Sequence, residues 1–367
     1  MSLQLSVVIL NYNVRYFLEL CLKSVQAAIA DFEAEIIVVD NASTDDSCQM
    51  VKALFPEVIL IENNENLGFS KGNNLGVQNA KGRYVCILNP DTVVAEDTFK
   101  ILMDFAENTP KMGIVGCRLL DGKGQFLPES KRNVPTPLVS IKKILGSSKD
   151  YYANHLSEKE TGKVAVLVGA FMLLRRSLYN DAKGFDEDYF MYGEDMDFSY
   201  RVQKMGYDNY YNPTTSAIHF KGESTIKNKT YANRFNGAMR IFFKKHFKPN
   251  VVYDVFIGLG IKIIVLLPKK STNSKPLVSG YELLSDGPIE PLRSKLGNKL
   301  RLYSPENREK RAVQLIFDNN VLNFKEIILH MDGLSKVQGM TFRILPKNAR
   351  FIIGSDSSTG RGEVLCF

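Results

Sequence analysis

Residues 190–207 read FMYGEDMDFSYRVQKMGY and place Glu194, Asp195 and Asp197 directly after Gly193, at the mouth of a predicted helix. Acidic side chains suit a first helical turn, because its backbone N–H groups are unpaired and the helix dipole is positive there. A carboxylate beside Phe190, Met191 and Phe198 is also what a general base needs: a proton acceptor from which water is held back. Both readings stand for Glu194 and Asp195. Asp197 and Arg201, four residues apart, predict a supporting ion pair along the same helix.

Four more polar motifs each follow an apolar run: LNYN (10–13), DNASTDDS (40–47), NENLGFSKGNN (64–74) and NPDT (89–92). In an open parallel sheet the chain leaves the core at the carboxyl ends of the strands, and ligands bind there. Four such exits on one edge predict a shared ligand. Asp40 can accept hydrogen bonds from a ribose or from a base N–H, or it can cap the helix that follows. Gly68 and Gly72 are read as letting the backbone come close to a bulky ligand. Pro90 stiffens its exit, and Asp91 offers a carboxylate to a divalent cation bridging two phosphates. A helix N-cap is the alternative for Asp91. No GxGxxG follows the first run and no GKS or GKT occurs, so neither a dinucleotide fold nor a P-loop is supported.

The elements that must position these groups are legible as short β-branched runs alternating with helical spacing. Strands are predicted at 5–10, 35–40, 57–62 and 83–89, each apolar on both faces, with helices at 15–30 and 44–55. Ser43 or Thr44 is available to cap the second helix. This alternation predicts a doubly wound α/β sheet. Further strands are expected at 113–120 and 164–176, separated by a loop at 121–137, rich in Pro, Lys and Gly, that is read as mobile.

The character changes after about residue 232. NRFNGAMRIFFKKHFKP predicts an aromatic, basic helix, and the apolar run that follows at 251–268 is interrupted by Asp254 and Lys262. A helix lying in a membrane interface, with Lys244, Lys245, Lys248, Lys269 and Lys270 toward anionic headgroups, fits this run better than a span; a core-packed helix is the alternative. The expected organisation is a catalytic domain at 1–250, a membrane-associated helical segment at 251–270, a linker at 271–285 and a small α/β region at 286–367. Strands are predicted in that last region at 312–317, 326–331 and 350–355.

The chain has 367 residues, 44% hydrophobic and 24% charged, which is ordinary globular material. Its net charge of +7 points to an acidic partner: nucleic acid, an anionic membrane or a phosphorylated substrate. The five cysteines, at 21, 48, 86, 117 and 366, form no CxxC pair, and their odd number argues against a disulfide framework or a zinc site. A reducing cytoplasm fits. The N-terminal MSLQLSVVILNYN has no basic leader and is too short in its apolar part for a signal peptide or a span, so a buried strand is expected there.

With LSVVILNYN, VVDNAST, NLGFSKGNN, LNPDT and GEDMDFSYR in this order, residues 5 to about 245 resemble a family-2 glycosyltransferase with the GT-A fold, a Rossmann-like, mostly parallel sheet flanked by helices. The NPDT form is similar to the rhamnosyltransferase-like branch that serves bacterial cell-surface polysaccharide synthesis. The resemblance implies inverting transfer of a sugar from a nucleotide diphosphate donor, dTDP-rhamnose or a UDP-sugar, to a hydroxyl of a glycan or lipid-linked oligosaccharide, assisted by Mn2+ or Mg2+. It implies Asp195 as base, with Glu194 orienting the acceptor or the loop. Asp40 would contact the nucleoside, and Asn11, Asn13, Asn66, Gly68, Asn73, Asn89 and Asp91 would line the donor pocket. Asp91 and His219 would hold the metal, and Asn89 stands where many relatives have the first Asp of DxD.

The expected setting is the cytoplasm, peripheral on the inner face of the plasma membrane, with a homodimer as an open possibility and no nucleic acid. Two competing readings carry specific requirements. A sugar-nucleotide nucleotidyltransferase needs a glycine-rich basic loop near the N-terminus, and LNYNVRYFLE is not one. A basic nucleic-acid-binding module would rest on the net charge and the 240–248 stretch, but carboxylates at the sheet edge repel a phosphate backbone. Residues 342–364, FRILPKNARFIIGSDSSTGRGEV, are faintly similar to the tail of nucleotide-binding-like domains attached to some bacterial sugar-phosphate transferases, a likeness that implies no activity here.

Overall fold

A computed structural model describes residues 3–221, 229–247, 278–304, 312–357 and 361–367. The first unit runs β1 (Leu5–Asn11), α1 (Arg15–Ala28), β2 (Ala34–Asp40), α2 (Ser47–Leu54), β3 (Ile59–Glu62), α3 (Gly68–Asn79), β4 (Tyr84–Leu88), β5 (Thr92–Val94), α4 (Thr98–Asn108) and β6 (Met112–Leu120). It continues through α5 (Pro137–Ile144), β7 (Gly162–Val164), β8 (Phe171–Arg175), α6 (Arg176–Asp181), α7 (Glu194–Lys204), β9 (Asp208–His219) and α8 (Lys229–His246).

The sheet order is β3-β2-β1-β4-β8-β6-β9-β5, with β7 paired to β9. Pairing is parallel from β3 to β4 and turns antiparallel at β4/β8, so the four predicted exits do share one edge. Alternation along β1 explains why its run is apolar throughout. Leu5, Val7 and Ile9 pack with α1, α2 and α4, while Val8 packs with α3, α6 and α7 on the opposite face.

Two expectations for this unit change. The run 164–176 is not one strand: it splits into β7 and β8, because residues 165–170 leave the ladder to serve the site described below. The 121–137 loop is anchored rather than mobile, with Ser130, Lys131 and Arg132 buried. Lys131 Nζ donates to the carbonyls of Ala153 (3.0 Å) and Leu156 (2.7 Å), which fixes it.

The second unit contains β10 (Gly280–Leu284), α9 (Glu290–Leu296), β11 (Leu300–Leu302), β12 (Val313–Asp318), α10 (Phe324–Leu334), β13 (Met340–Leu345), β14 (Phe351–Gly354) and β15 (Glu363–Cys366). Its sheet order is β11-β10-β12-β13-β14-β15. Residues 280–284, read as linker, are therefore a central strand, paired in parallel with β12. Residues 326–331, read as a strand, lie in α10. Asn323 and Glu326 form a reciprocal capping box there, and Phe324, Ile327, Ile328 and Met331 bury one helical face. The 251–270 segment lies outside the described residues. Among the described residues no helix is long and apolar enough to cross a membrane.

The units share a core. Phe317, Phe324, Ile327 and Phe342 pack with Val14, Phe17, Val93, Ile218 and Phe220. The Glu96 carboxylate accepts the Phe324 and Lys325 N–H groups (2.7 and 2.8 Å), filling the anion position at the start of α10. Arg118, nearly enclosed, donates to Asp332 (2.9 Å). The backbones touch at Gly124, whose φ is +72° and whose absent Cβ would lie 2.1 Å from the Met331 carbonyl oxygen. The second unit thus covers β5 and β9, the strands beside Asp91 and His219.

Candidate active site

On the nucleotide side, β1 and β2 end in register at Asn11 and Asp40. Asn11 Nδ2 donates to Asp40 Oδ1 (2.7 Å), and the other Asp40 oxygen accepts the Ser43 N–H (2.8 Å). Asn13, in the left-handed region at φ 55°, accepts the Thr44 N–H (2.7 Å), so the two loops are knitted together. Asn66 accepts from the Gly68 N–H (2.9 Å) and from Asn41 Nδ2 (3.2 Å). Asn73 Nδ2 is spent on the Phe69 carbonyl (3.0 Å). Among the described residues, Asn11 Oδ1, Ser70 Oγ and Asn73 Oδ1 are buried without a partner, as groups that serve a ligand would be.

The glycines act differently from expectation. At φ +78° the Gly68 position would put a Cβ 2.4 Å from the Phe190 carbonyl oxygen, and at Gly72 a Cβ would meet Leu10 at 2.3 Å. Both are needed for close packing of the chain on itself: Gly68 seats α3 against residue 190, where the Phe69 N–H donates to the Phe190 carbonyl (2.7 Å).

Asp91 and His219 are brought together by the β5/β9 pair, in which Thr92 opposes His219. His219 Nε2 lies 3.4 Å from Asp91 Oδ1 and 3.4 Å from Asn89 Nδ2, and both Asp91 and His219 are buried. His219 Nδ1 has no partner among the described residues. Asp91 does not cap a helix, since the next one starts at Thr98. Among the described residues no three His, Cys, Asp or Glu side chains gather. A carboxylate oxygen of Asp91 and the Nε2 of His219, 3.4 Å apart, fit a Mn2+ or Mg2+ ion that takes its remaining ligands from phosphate oxygens and water.

Asp195 sits in the first turn of α7, after Gly193 at φ +85°. Its Oδ2 accepts from Arg132 Nη2 (2.6 Å) and from the Gly169 N–H (3.1 Å), and its Oδ1 accepts the Met196 N–H (2.7 Å). Arg132 also donates to the Leu167 carbonyl (2.8 Å). The departure of 165–170 from the sheet thus supplies one partner to the carboxylate and one to its cation. Burial opposes the charge on Arg132, but Asp195 and Tyr151 outweigh it and raise the guanidinium above its ordinary range. Burial, with Asp195 beside it, pushes the Glu194 carboxyl up to about 8, and Glu194 Oε2 has no partner among the described residues.

These places are joined by short links. The Asn89 N–H donates to the Ala170 carbonyl (3.0 Å), next to the Gly169 N–H that meets Asp195. Phe69 closes the circuit, since a Cβ on Gly169 would lie 3.1 Å from Phe69 Cζ and 3.5 Å from Asp195 Cβ. Asp197 faces away from this cluster: Arg201 Nε (2.6 Å), Lys245 Nζ (2.9 Å) and His246 Nε2 (2.7 Å) converge on it. Lys245, expected toward headgroups, is instead turned inward to Asp186 and Asp197 because those carboxylates are its counter-ions. A cavity of about 560 Å³ between α1 and the loop after β12 shares no lining residue with the site.

Residues 6–182 match the family profile described as Glycosyl transferase family 2. The chain is 29% identical over 238 residues to an N-acetylglucosaminyl-diphospho-decaprenol L-rhamnosyltransferase of Mycobacterium tuberculosis, covering 60% of this chain and 77% of that protein. It is 29% identical over 191 residues to the Rhamnosyltransferase WbbL of Escherichia coli, covering 49% and 66%. Among solved structures it is similar to a mannosyltransferase of Pyrobaculum calidifontis in complex with GDP-Man and Mn2+, at TM-score 0.48 and 19% identity over 72% of each chain.

Proposed function

We propose, from the match of residues 6–182 to the glycosyl transferase family 2 profile, that the chain transfers a sugar, with inversion, from a nucleotide diphosphate to a hydroxyl of a lipid-linked glycan. The observation that carries this reading is the fixed carboxylate of Asp195, tied through Gly169, Ala170 and Asn89 to the Asp91–His219 pair.

Arg132 and the Gly169 N–H occupy one oxygen of Asp195 and hold its orientation. As the acceptor oxygen bonds to the anomeric carbon, Asp195 takes the hydroxyl proton, and the bond from that carbon to the diphosphate oxygen breaks on the opposite face. One displacement of this kind inverts the centre. Asp40 and Asn11 bind the nucleoside, while Asn66 and Asn13 keep their loops in place around it. Asp91 and His219 would hold Mn2+ or Mg2+, which when bound offsets the charge that builds on the leaving diphosphate. Phe69, packed beside Gly169 and Asp195, limits water there, so transfer outpaces hydrolysis.

The donor is dTDP-rhamnose or a UDP-sugar. The named substrate of the mycobacterial relative, a sugar joined to a lipid through a diphosphate, supports an acceptor of the same kind, and its lipid would hold the enzyme at the inner face of the plasma membrane. Incubation with a panel of nucleotide sugars and a lipid-diphosphate sugar tests the reading. Metal-dependent release of nucleoside diphosphate, coupled to glycan extension, is expected; calorimetry showing single-stranded DNA bound in preference to UDP and dTDP would overturn it.

A further inference from the structure

Beside Asp195, around Arg132 and α5, there is more positive charge than the neighbouring carboxylates balance. Asp195 is paired with Arg132, and Tyr151, buried, lies beside that guanidinium. On the Tyr151 ring sits Lys143, its Nζ 3.0 Å from the centroid. Burial alone would raise the Tyr151 phenol, but Arg132 and Lys143 hold it below its ordinary range.

Lys143 has no carboxylate within ion-pair distance among the described residues. Glu129, which it senses, is engaged by Lys221, and Asp150 is taken by Lys142 (2.6 Å). Glu194, with its carboxyl near 8, adds little negative charge at neutral pH. A half-buried ammonium resting on an aromatic face has lost water without gaining a counter-ion. The complementary ligand is an anion. The donor's diphosphate is accounted for at Asp91 and His219, which leaves the acceptor to bring it.

Resting on the acceptor class argued above, we propose that Lys143, backed by Tyr151 and Arg132, binds a phosphate of the acceptor's diphosphate linkage. The helix that supplies Lys143 carries the matching apolar surface. Leu138 in α5 and Leu145, the residue that caps its C-terminus, are 57% and 79% exposed and would lie where the acceptor's lipid chain leaves the site.

The test compares two acceptors with the same sugar, one joined to its alkyl chain through a diphosphate and one through a neutral ether. Wild-type enzyme is expected to favour the diphosphate, and inorganic pyrophosphate is expected to compete with it. Lys143→Gln should lower that preference about tenfold, the loss of roughly one charge-assisted contact, and Lys143→Arg should restore most of it. Equal changes for both acceptors, or none, overturn the proposal. So does a matching loss of binding to phosphatidylglycerol vesicles lacking acceptor, which would assign Lys143 to the bilayer. Calorimetry with the nucleotide sugar separates the two levels: no metal-dependent donor binding by wild type defeats the glycosyltransferase reading, whereas normal donor binding with no acceptor preference defeats only this subsite.

Discussion

Asp197→Asn should destabilise the protein by about 3 kcal/mol, and the size follows from the surroundings of one carboxylate. Asp197 is fully enclosed and accepts from Arg201, Lys245 and His246 at 2.6, 2.9 and 2.7 Å. Burial pushes its carboxyl up, but His246, Arg201 and Lys245 more than offset this and bring it from 3.8 to about 2. Nearly two units at about 1.4 kcal/mol each give about 2.5 kcal/mol. The amide also leaves Arg201 without its counter-ion and takes one of two from Lys245, which raises the cost toward the 3 to 5 kcal/mol or so typical of a broken buried pair. A depressed folded value means the contribution is complete above about pH 4 and is lost as pH falls through about 2. Urea unfolding of both proteins should therefore show a constant gap from pH 7 to about 4.5 and a narrowing gap below it. A gap under about 0.5 kcal/mol at pH 7, or one that widens in acid, would refute the reasoning. Because Lys245 and His246 belong to α8, amide exchange should quicken there first.

Gly124→Val places a β-branched residue at φ +72° with its Cβ against the Met331 carbonyl. Faster proteolytic release of the second unit and a loss of at least about 2 kcal/mol are expected; an unchanged cleavage pattern would deny that the two backbones touch. Arg132→Gln removes the cation from a buried pair and should cost about 3 kcal/mol in urea unfolding, whereas a neutral result would mean Asp195 holds its place through the Gly169 and Met196 N–H groups. Asp91→Ala should weaken Mn2+-dependent nucleotide binding at least tenfold by calorimetry, and an unaltered Mn2+ dependence would remove Asp91 from the metal shell.

The parallel half of the first sheet is legible in the sequence because β1, β2 and β4, enclosed on both faces, are written as β-branched runs, whereas β3, read the same way, is a half-exposed edge strand. The strands that hold the cation pair are not. β5 has only three residues, and β9 includes Pro213 and shifts register where it meets Cys117 and Arg118. Residues 326–331 look like a strand in a window of six, and only the wider spacing of 324, 327, 328 and 331, with Asn323 and Glu326 as caps, reveals a helix. The site shows the same division. GED marks a carboxylate at a helix start, so Asp195 is visible locally. Arg132 and Gly169 are not, since a contact across 63 or 26 residues between irregular segments leaves no periodic trace. Arg132 lies in ESKRN, where composition points to solvent and tertiary packing decides otherwise.

The central claim, that Asp195 is the base of a single-displacement transfer, is tested most directly by measuring transfer and donor affinity on the same preparations of wild type and Asp195→Asn. Transfer should fall by about a thousandfold or more, while the dissociation constant for the nucleotide sugar, in the presence of Mn2+, stays within about threefold. Residual turnover accompanied by a marked loss of nucleotide affinity would contradict the account and assign Asp195 to the donor pocket.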